Sequence, residues 1–133
     1  MASSRPAPRA EPVATEPAAA RPYGLQQVYE KLGGVEYGAL TAILAGQVPI
    51  EAEALCMHVK AERWEAAQHL AHKVKGSMLA LGLDCAADVV ALDATLKRVV
   101  GGDGGAEGAR VQCASFRIAA SALVTFLKSE RAE

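Results

Sequence analysis

The chain has 133 residues and a formal net charge of -1 at pH 7, with 14 Lys and Arg against 15 Asp and Glu. This even balance, without any block of like charge, argues against binding of nucleic acid or an anionic membrane through bulk electrostatics. Hydrophobic residues make up 51% of the chain and aromatic residues only 5%. We therefore expect one domain with a single core and an all-α fold.

The cysteines and the N-terminus bear on the cellular compartment. Cys56, Cys85 and Cys113 are odd in number and widely spaced among apolar residues, which favours buried reduced thiols over a disulfide framework or a zinc site. The N-terminus lacks the apolar core of a secretory signal, and no stretch approaches the roughly 18 uninterrupted apolar residues of a membrane span. We predict a soluble, cytoplasmic protein with no membrane association.

Residues 1–22 contain five of the six prolines and almost no large apolar residue. Such a composition buries too little apolar surface to offset the entropy lost on ordering. We predict a disordered tail or linker over residues 1–22 and a folded domain over residues 23–130.

The first half of that domain is predicted to contain short helices. The first covers residues 23–32 and ends at Gly33, and the second covers residues 35–45, with Gly46 as its stop.

A third helix is predicted from residue 50 to about residue 60, because Pro49 suits a first helical turn. Its apolar face should contain Ile50, Ala54, Leu55 and Val59. The next helix has the clearest pattern and ends at Gly82; its apolar residues are spaced 3, 4, 3, 4 and 3 apart, at Trp64, Ala67, Ala71, Val74, Met78 and Leu81.

Two further helices follow, separated by the glycine-rich residues 101–105. Their apolar stripes are Cys85, Val89, Leu92, Leu96 and Val99, and then Cys113, Phe116, Ala120, Leu123 and Leu127. Four substantial helices with short connections predict an antiparallel up-and-down four-helix bundle with a short additional N-terminal helix.

Residues 72–77 read His-Lys-Val-Lys-Gly-Ser, and Leu81-Gly82 follows at the predicted helix end. This pattern resembles the signature of histidine-containing phosphotransfer (HPt) domains, and in outline the resemblance covers residues 23–130. It implies a phosphocarrier, not an enzyme, that works between a sensor or hybrid histidine kinase and the receiver domain of a response regulator. One departure is Leu92-Asp93, where family members commonly have Leu-Glu.

The resemblance implies that His72 accepts the phosphoryl group, that Lys75 stabilises it and that Gly76 gives the partner clearance. The helical wheel places His72 on the solvent face, with Lys75 and Gly76 one turn away. A neutral imidazole offers a nucleophilic nitrogen, and a lysine can neutralise phosphoryl oxygens. Glycine in an exposed helix costs ~1 kcal/mol relative to alanine, so Gly76 requires a reason such as close approach of a partner.

The surface around His72 is predicted to dock the partner through Glu65, Gln68, His69, Ser77 and Leu79. We expect no cofactor bound by this chain, since the receiver would supply Mg²⁺ and the acidic pocket. A monomer is expected, because the helical stripes can all be buried within one bundle.

The histidines and the glycine-rich residues 101–105 also have other interpretations. His69 and His72 could share a metal with His58 or a cysteine, but no third ligand lies on their face, so no metal site is predicted. The glycines of residues 101–105 follow a helix and lack the ending of a phosphate-binding loop. The alternative function is a docking or inhibitory module that binds a kinase or receiver through the same face without carrying phosphate, and a weaker one is a purely structural bundle.

Overall fold

A computed structural model of the protein describes residues 20–132, and within them the structure is helical with no strand. The four helices are α1 (Leu25–Lys60), α2 (Trp64–Leu81), α3 (Ala86–Val100) and α4 (Ala106–Ala132). The all-α class predicted from composition is confirmed.

The helices pack around one core. Helix α1 contacts α2 and α4, and α3 contacts the same two helices. The predicted stripes of α2, α3 and α4 lie in this core, with Trp64, Leu81 and Val99 only partly buried. Phe116 of α4 is fully buried, together with leucines from α1, α3 and α4. The 3 and 4 spacing therefore identified the core face of these three helices correctly.

Helix α1 corrects the prediction that residues 35–45 and residues 50–60 form two separate helices. Gly33 has the only non-helical backbone within it, with φ 80° and ψ 171°, so a break was rightly expected there. The helix then continues through Gly46 and Pro49 to Lys60. The predicted short N-terminal helix is thus the first part of α1, joined to the rest across Gly33.

The buried face of α1 also differs from the prediction. Ile50 was expected in the core but is 68% exposed. The buried positions around the proline are Val48, Ala52, Leu55 and Val59. Packing of these side chains offsets the backbone hydrogen bond that Pro49 removes, because tertiary burial contributes more to helix stability than local propensity.

The chain just before α1 contacts the end of α2. The backbone N–H of Asp84 donates to the carbonyl of Tyr23 at 3.0 Å. Gly24 has φ 84°, and a Cβ there would collide with the carbonyl oxygen of Gly82, so only glycine fits this approach. Helix α2 ends at Gly82, as predicted, in the left-handed conformation. This contact holds the C-terminal end of α2 in place.

The packed region starts before residue 23, where the sequence predicted its boundary. Arg21 Nε donates to Glu130 Oε2 at 2.5 Å, and its guanidinium lies 4.0 Å from the centre of the Tyr29 ring. The hydroxyl of Tyr37 donates to Glu130 Oε1 at 2.8 Å. Arg21 therefore joins the start of α1 to α4. The rest of the predicted tail, residues 1–19, lies outside the described residues.

Helices α1 and α4 are each long and apolar enough to span a membrane, judged by length and composition alone. A core helix of a soluble protein meets the same criterion, and both helices bury leucines against the other helices. The cytoplasmic location predicted from the sequence stays a prediction.

Candidate functional site

His72 lies on the solvent-facing side of α2. Its side chain is 61% exposed, while Ala71 and Val74 on the opposite side are fully buried. Because these two residues fix the rotation of α2 against the core, His72 is directed outward. The structure thus places the imidazole on the surface, where the helical wheel predicted it.

A buried carboxylate lies beneath His72. The side chain of Asp93, on α3, is 2% exposed, and its Oδ2 lies 3.7 Å from His72 Nδ1. The same oxygen accepts a hydrogen bond from Lys75 Nζ at 2.8 Å and forms an ion pair with Lys97 Nζ at 3.2 Å. The other oxygen, Oδ1, accepts from Gln68 Nε2 at 3.1 Å. One carboxylate therefore connects the predicted phosphoacceptor with two ammonium groups and an amide.

The surroundings of Asp93 keep it ionised. Burial alone raises the pKa of Asp93, because a low-polarity environment disfavours the charged form. Hydrogen bonds from Lys75, Gln68 and Lys97 act in the opposite direction, and the net effect lowers the pKa below its ordinary value of 3.8. At neutral pH the site therefore contains a fixed negative charge within reach of the His72 ring.

The surface beside this carboxylate is positively charged. An open groove of about 330 Å³ lies between α2 and α3 and is lined by Gln68, His69, His72, Lys73 and Lys97. None of these five residues has a carboxylate, and two are lysines. The groove therefore suits an anionic group next to His72.

Gly76 is exposed one turn beyond His72. A Cβ added at this position would meet no atom within 4 Å, and the backbone does not have positive φ there. Residues 20–132 thus give no packing or backbone reason for glycine at position 76. An approaching molecule would provide one.

The residues predicted to dock a partner fall into two groups. Glu65, His69, Ser77 and Leu79 are exposed, and Leu79 leaves 55% of its surface to solvent. Gln68 is half-buried and donates to Asp93. Its amide is therefore already engaged in holding the carboxylate beneath His72.

Sequence reasoning missed the roles of Asp93 and Lys97. Asp93 was noted only as a departure from the Leu-Glu pattern, yet it is the centre of the site. One signal was present: Asp93 lies between Leu92 and Leu96 of the buried stripe, with Lys97 at i+4. A carboxylate next to core residues is rarely buried without a partner, so its position called for a cation on a neighbouring helix.

Comparisons of the chain with protein-family models, with curated proteins and with solved structures give no match. Within residues 20–132, no group of three or more His, Cys, Asp and Glu side chains converges as a metal site would require.

Proposed function

We propose that the protein is an HPt-type phosphocarrier in which His72 receives and passes on a phosphoryl group. The donor is the phosphoaspartate of a receiver domain, free or within a hybrid histidine kinase, and the acceptor is the aspartate of a response-regulator receiver. The observation that carries this proposal is the exposed imidazole of His72 next to an ionised, buried Asp93 that also binds Lys75.

Asp93 would direct the reaction to one ring nitrogen. A carboxylate beside Nδ1 favours the tautomer with the proton on Nδ1, which leaves the lone pair of Nε2 free to attack. Nε2 then bonds to phosphorus while the bond from phosphorus to the aspartyl oxygen breaks, and the carboxylate leaves. As positive charge develops on the ring, the 3.7 Å contact should shorten to a hydrogen bond.

The lysines would stabilise the product. A phosphoryl group adds a charge of about −2, and Lys75 and Lys97 already lie against the oxygen nearest His72. Each ammonium has three donors, so it can hold Asp93 and still contact a phosphoryl oxygen. Phosphoryl transfer depends mainly on positioning and charge neutralisation, which this arrangement supplies from one side.

The partner would supply the remaining groups that phosphoryl transfer needs. We propose that a receiver provides Mg²⁺ and its acidic pocket, approaches over Gly76 and contacts the exposed Leu79. The carrier itself would act as a cytoplasmic monomer without a nucleotide site or kinase activity. Its short connections after α1 and α2 favour an antiparallel up-and-down bundle, with α2 and α3 forming the transfer face.

The first test needs no knowledge of the partner. The full chain is incubated with phosphoramidate, a small phosphoryl donor, and the product is analysed by intact mass, peptide mapping and phosphorus NMR. We expect one acid-labile, base-stable phosphoryl group per chain on Nε2 of His72. The variant His72→Gln should stay unlabelled, whereas His69→Gln, which removes an exposed histidine three residues earlier, should be labelled normally.

Circular dichroism checks that both variants keep the helical fold. The second step presents the labelled chain to a panel of receiver domains with Mg²⁺ and follows loss of label from His72. Label on His58 or His69 instead of His72 would contradict the proposal. Binding to a receiver without labelling by any donor would favour the docking module.

A further inference from the structure

Two cysteines meet on a different part of the molecule from His72. Cys56 of α1 and Cys113 of α4 are 57 residues apart in sequence, and their sulfur atoms are 2.9 Å apart. Both are free thiols, as predicted, but Cys56 is only partly buried, whereas Cys113 is 2% exposed. A disulfide requires about 2.05 Å between the sulfurs, so these atoms need to move by only about 1 Å to bond.

Cys56 and Cys113 line an open groove between α1 and α4. The groove has a volume of about 410 Å³, and its lining includes the apolar Val59 and Ile118 together with three cationic residues, Lys60, Arg110 and Arg117. Small solutes can therefore reach Cys56 from this groove, and the cationic side chains favour its thiolate over the thiol.

The two thiols are chemically unequal. A hydrogen bond from Cys113 lowers the pKa of Cys56 to about 7, against the opposing effect of burial, and Arg117 contributes further lowering. The same hydrogen bond, together with burial, raises the pKa of Cys113. The pair therefore combines an accessible thiolate with a protonated neighbour. Cys85 differs from both: it is buried against Met78, and burial raises its pKa to about 11.

We propose that Cys56 and Cys113 form an oxidation site that reacts with hydroperoxides to give a disulfide between α1 and α4. The Cys56 thiolate attacks the terminal oxygen of the hydroperoxide, the O–O bond breaks, and the alkoxide takes a proton from solvent. Cys56 is now a sulfenic acid. The sulfur of Cys113 then attacks the sulfur of Cys56 and displaces the hydroxyl group of the sulfenic acid. That hydroxyl leaves as water with the thiol proton of Cys113. Two thiols are oxidised and one hydroperoxide is reduced to an alcohol and water.

The product would join the first helix to the last. Neither α2 nor α3, the helices that hold His72 and Asp93, takes part in the crosslink. The oxidation site is thus separate from the proposed phosphoryl transfer, and its test uses no phosphoryl donor. A thiol reductant should reverse the reaction, since the product is a disulfide.

The test treats the full, folded chain with an equimolar amount of hydrogen peroxide at pH 7, followed by catalase, unfolding and alkylation with iodoacetamide. Intact mass should show a monomer about 2 Da lighter before alkylation, because two thiol hydrogens are lost. Only Cys85 should be alkylated, and peptide mapping should join the Cys56 and Cys113 peptides. Dithiothreitol should restore alkylation at all three cysteines.

Two variants separate the steps. In Cys113→Ser, a sulfenic acid should persist on Cys56 and be trapped by dimedone, since no thiol can displace it. Cys85→Ser is the matched control and should form the crosslink at the wild-type rate. Wild-type chain in which Cys56 and Cys113 both stay alkylatable would overturn the proposal, as would oxidation of Cys85 at the same rate as Cys56. The wild-type experiment alone shows whether the crosslink forms, even if one of the variants fails to fold.

Discussion

His72 Nδ1 lies 3.7 Å from Asp93 Oδ2, and that oxygen also accepts the shortest hydrogen bond of the site, from Lys75 Nζ at 2.8 Å. The imidazole is on α2 and the carboxylate on α3, so the packing of these two helices creates the relationship. A solvent-exposed histidine thereby acquires a neighbour with fixed charge. This separates His72 from His69, which is exposed but has no ion pair among the described residues.

The first prediction concerns this contact. Asp93→Asn removes the negative charge but keeps the size of the side chain, so Nδ1 faces a neutral amide in place of a carboxylate and the tautomer with Nε2 free is less strongly favoured. We expect phosphorylation of His72 by phosphoramidate to slow by about tenfold or more, a typical loss when a supporting carboxylate is removed. Intact-mass measurements at early times give the initial rates of phosphorylation of the variant and of the wild type, and hence their ratio. An unchanged rate would show that Asp93 serves only the fold.

The second prediction concerns stability and pH. Because the folded-state pKa of Asp93 lies below 3.8, its ionic contacts contribute stability that is fully present above pH 3.8. That contribution is lost as the pH falls through the lower folded-state value. Asp93→Asn should cost about 1–3 kcal/mol of unfolding free energy at pH 7, as expected for buried hydrogen bonds to a charged group. Urea titrations should show this difference shrinking below pH 3.8, and a difference that is constant down to pH 2 would contradict the assignment.

The third prediction compares the two lysines on Asp93 Oδ2. The side chain of Lys75 is 21% exposed and that of Lys97 is 53% exposed, so Lys75 is held more firmly beside His72. Lys75→Gln should therefore shorten the lifetime of the phosphohistidine more than Lys97→Gln does, by roughly tenfold against threefold. Decay of the labelled chain at neutral pH measures both. Equal lifetimes for wild type and Lys75→Gln would remove Lys75 from the phosphate-binding role.

The local sequence pattern was sufficient to predict the fold class and the core-facing side of most helices. Helix α2 shows why: apolar residues repeat at spacings that only one helical face can satisfy, and Gly82 provides the left-handed residue that ends the helix. Once Ala71 and Val74 are assigned to the core, the outward direction of His72 follows from helix geometry. Fold class and the exposure of the predicted phosphoacceptor were therefore accessible without coordinates.

Contacts between helices could not be predicted from the local sequence pattern. Nothing in the local pattern places Asp93 beneath His72, because their proximity depends on how α3 packs on α2. Pro49 illustrates the same limit for secondary structure. Its local preference is for a helix start, but burial of Val48 and Ala52 keeps α1 continuous through it. Both the position of Asp93 and the continuity of α1 at Pro49 are determined by tertiary packing, which depends on residues far away in the sequence.

The last prediction uses two exposed glycines to separate folding from transfer. A Cβ at Gly76 or at Gly46 would meet nothing within 4 Å, so Gly76→Ala and Gly46→Ala should each stabilise the chain by up to about 1 kcal/mol. Only the change beside His72 should hinder a receiver. We expect transfer from labelled His72 to a receiver aspartate to slow by about tenfold in Gly76→Ala and further in Gly76→Gln, since misplacement by about 1 Å can cost a hundredfold. Phosphorylation by the much smaller phosphoramidate should change little, and Gly46→Ala should match wild type in both reactions.

If Gly76→Gln transfers phosphate to receivers at the wild-type rate, the partner does not approach over this position. The proposed docking geometry would then be wrong even if His72 is the phosphorylated residue.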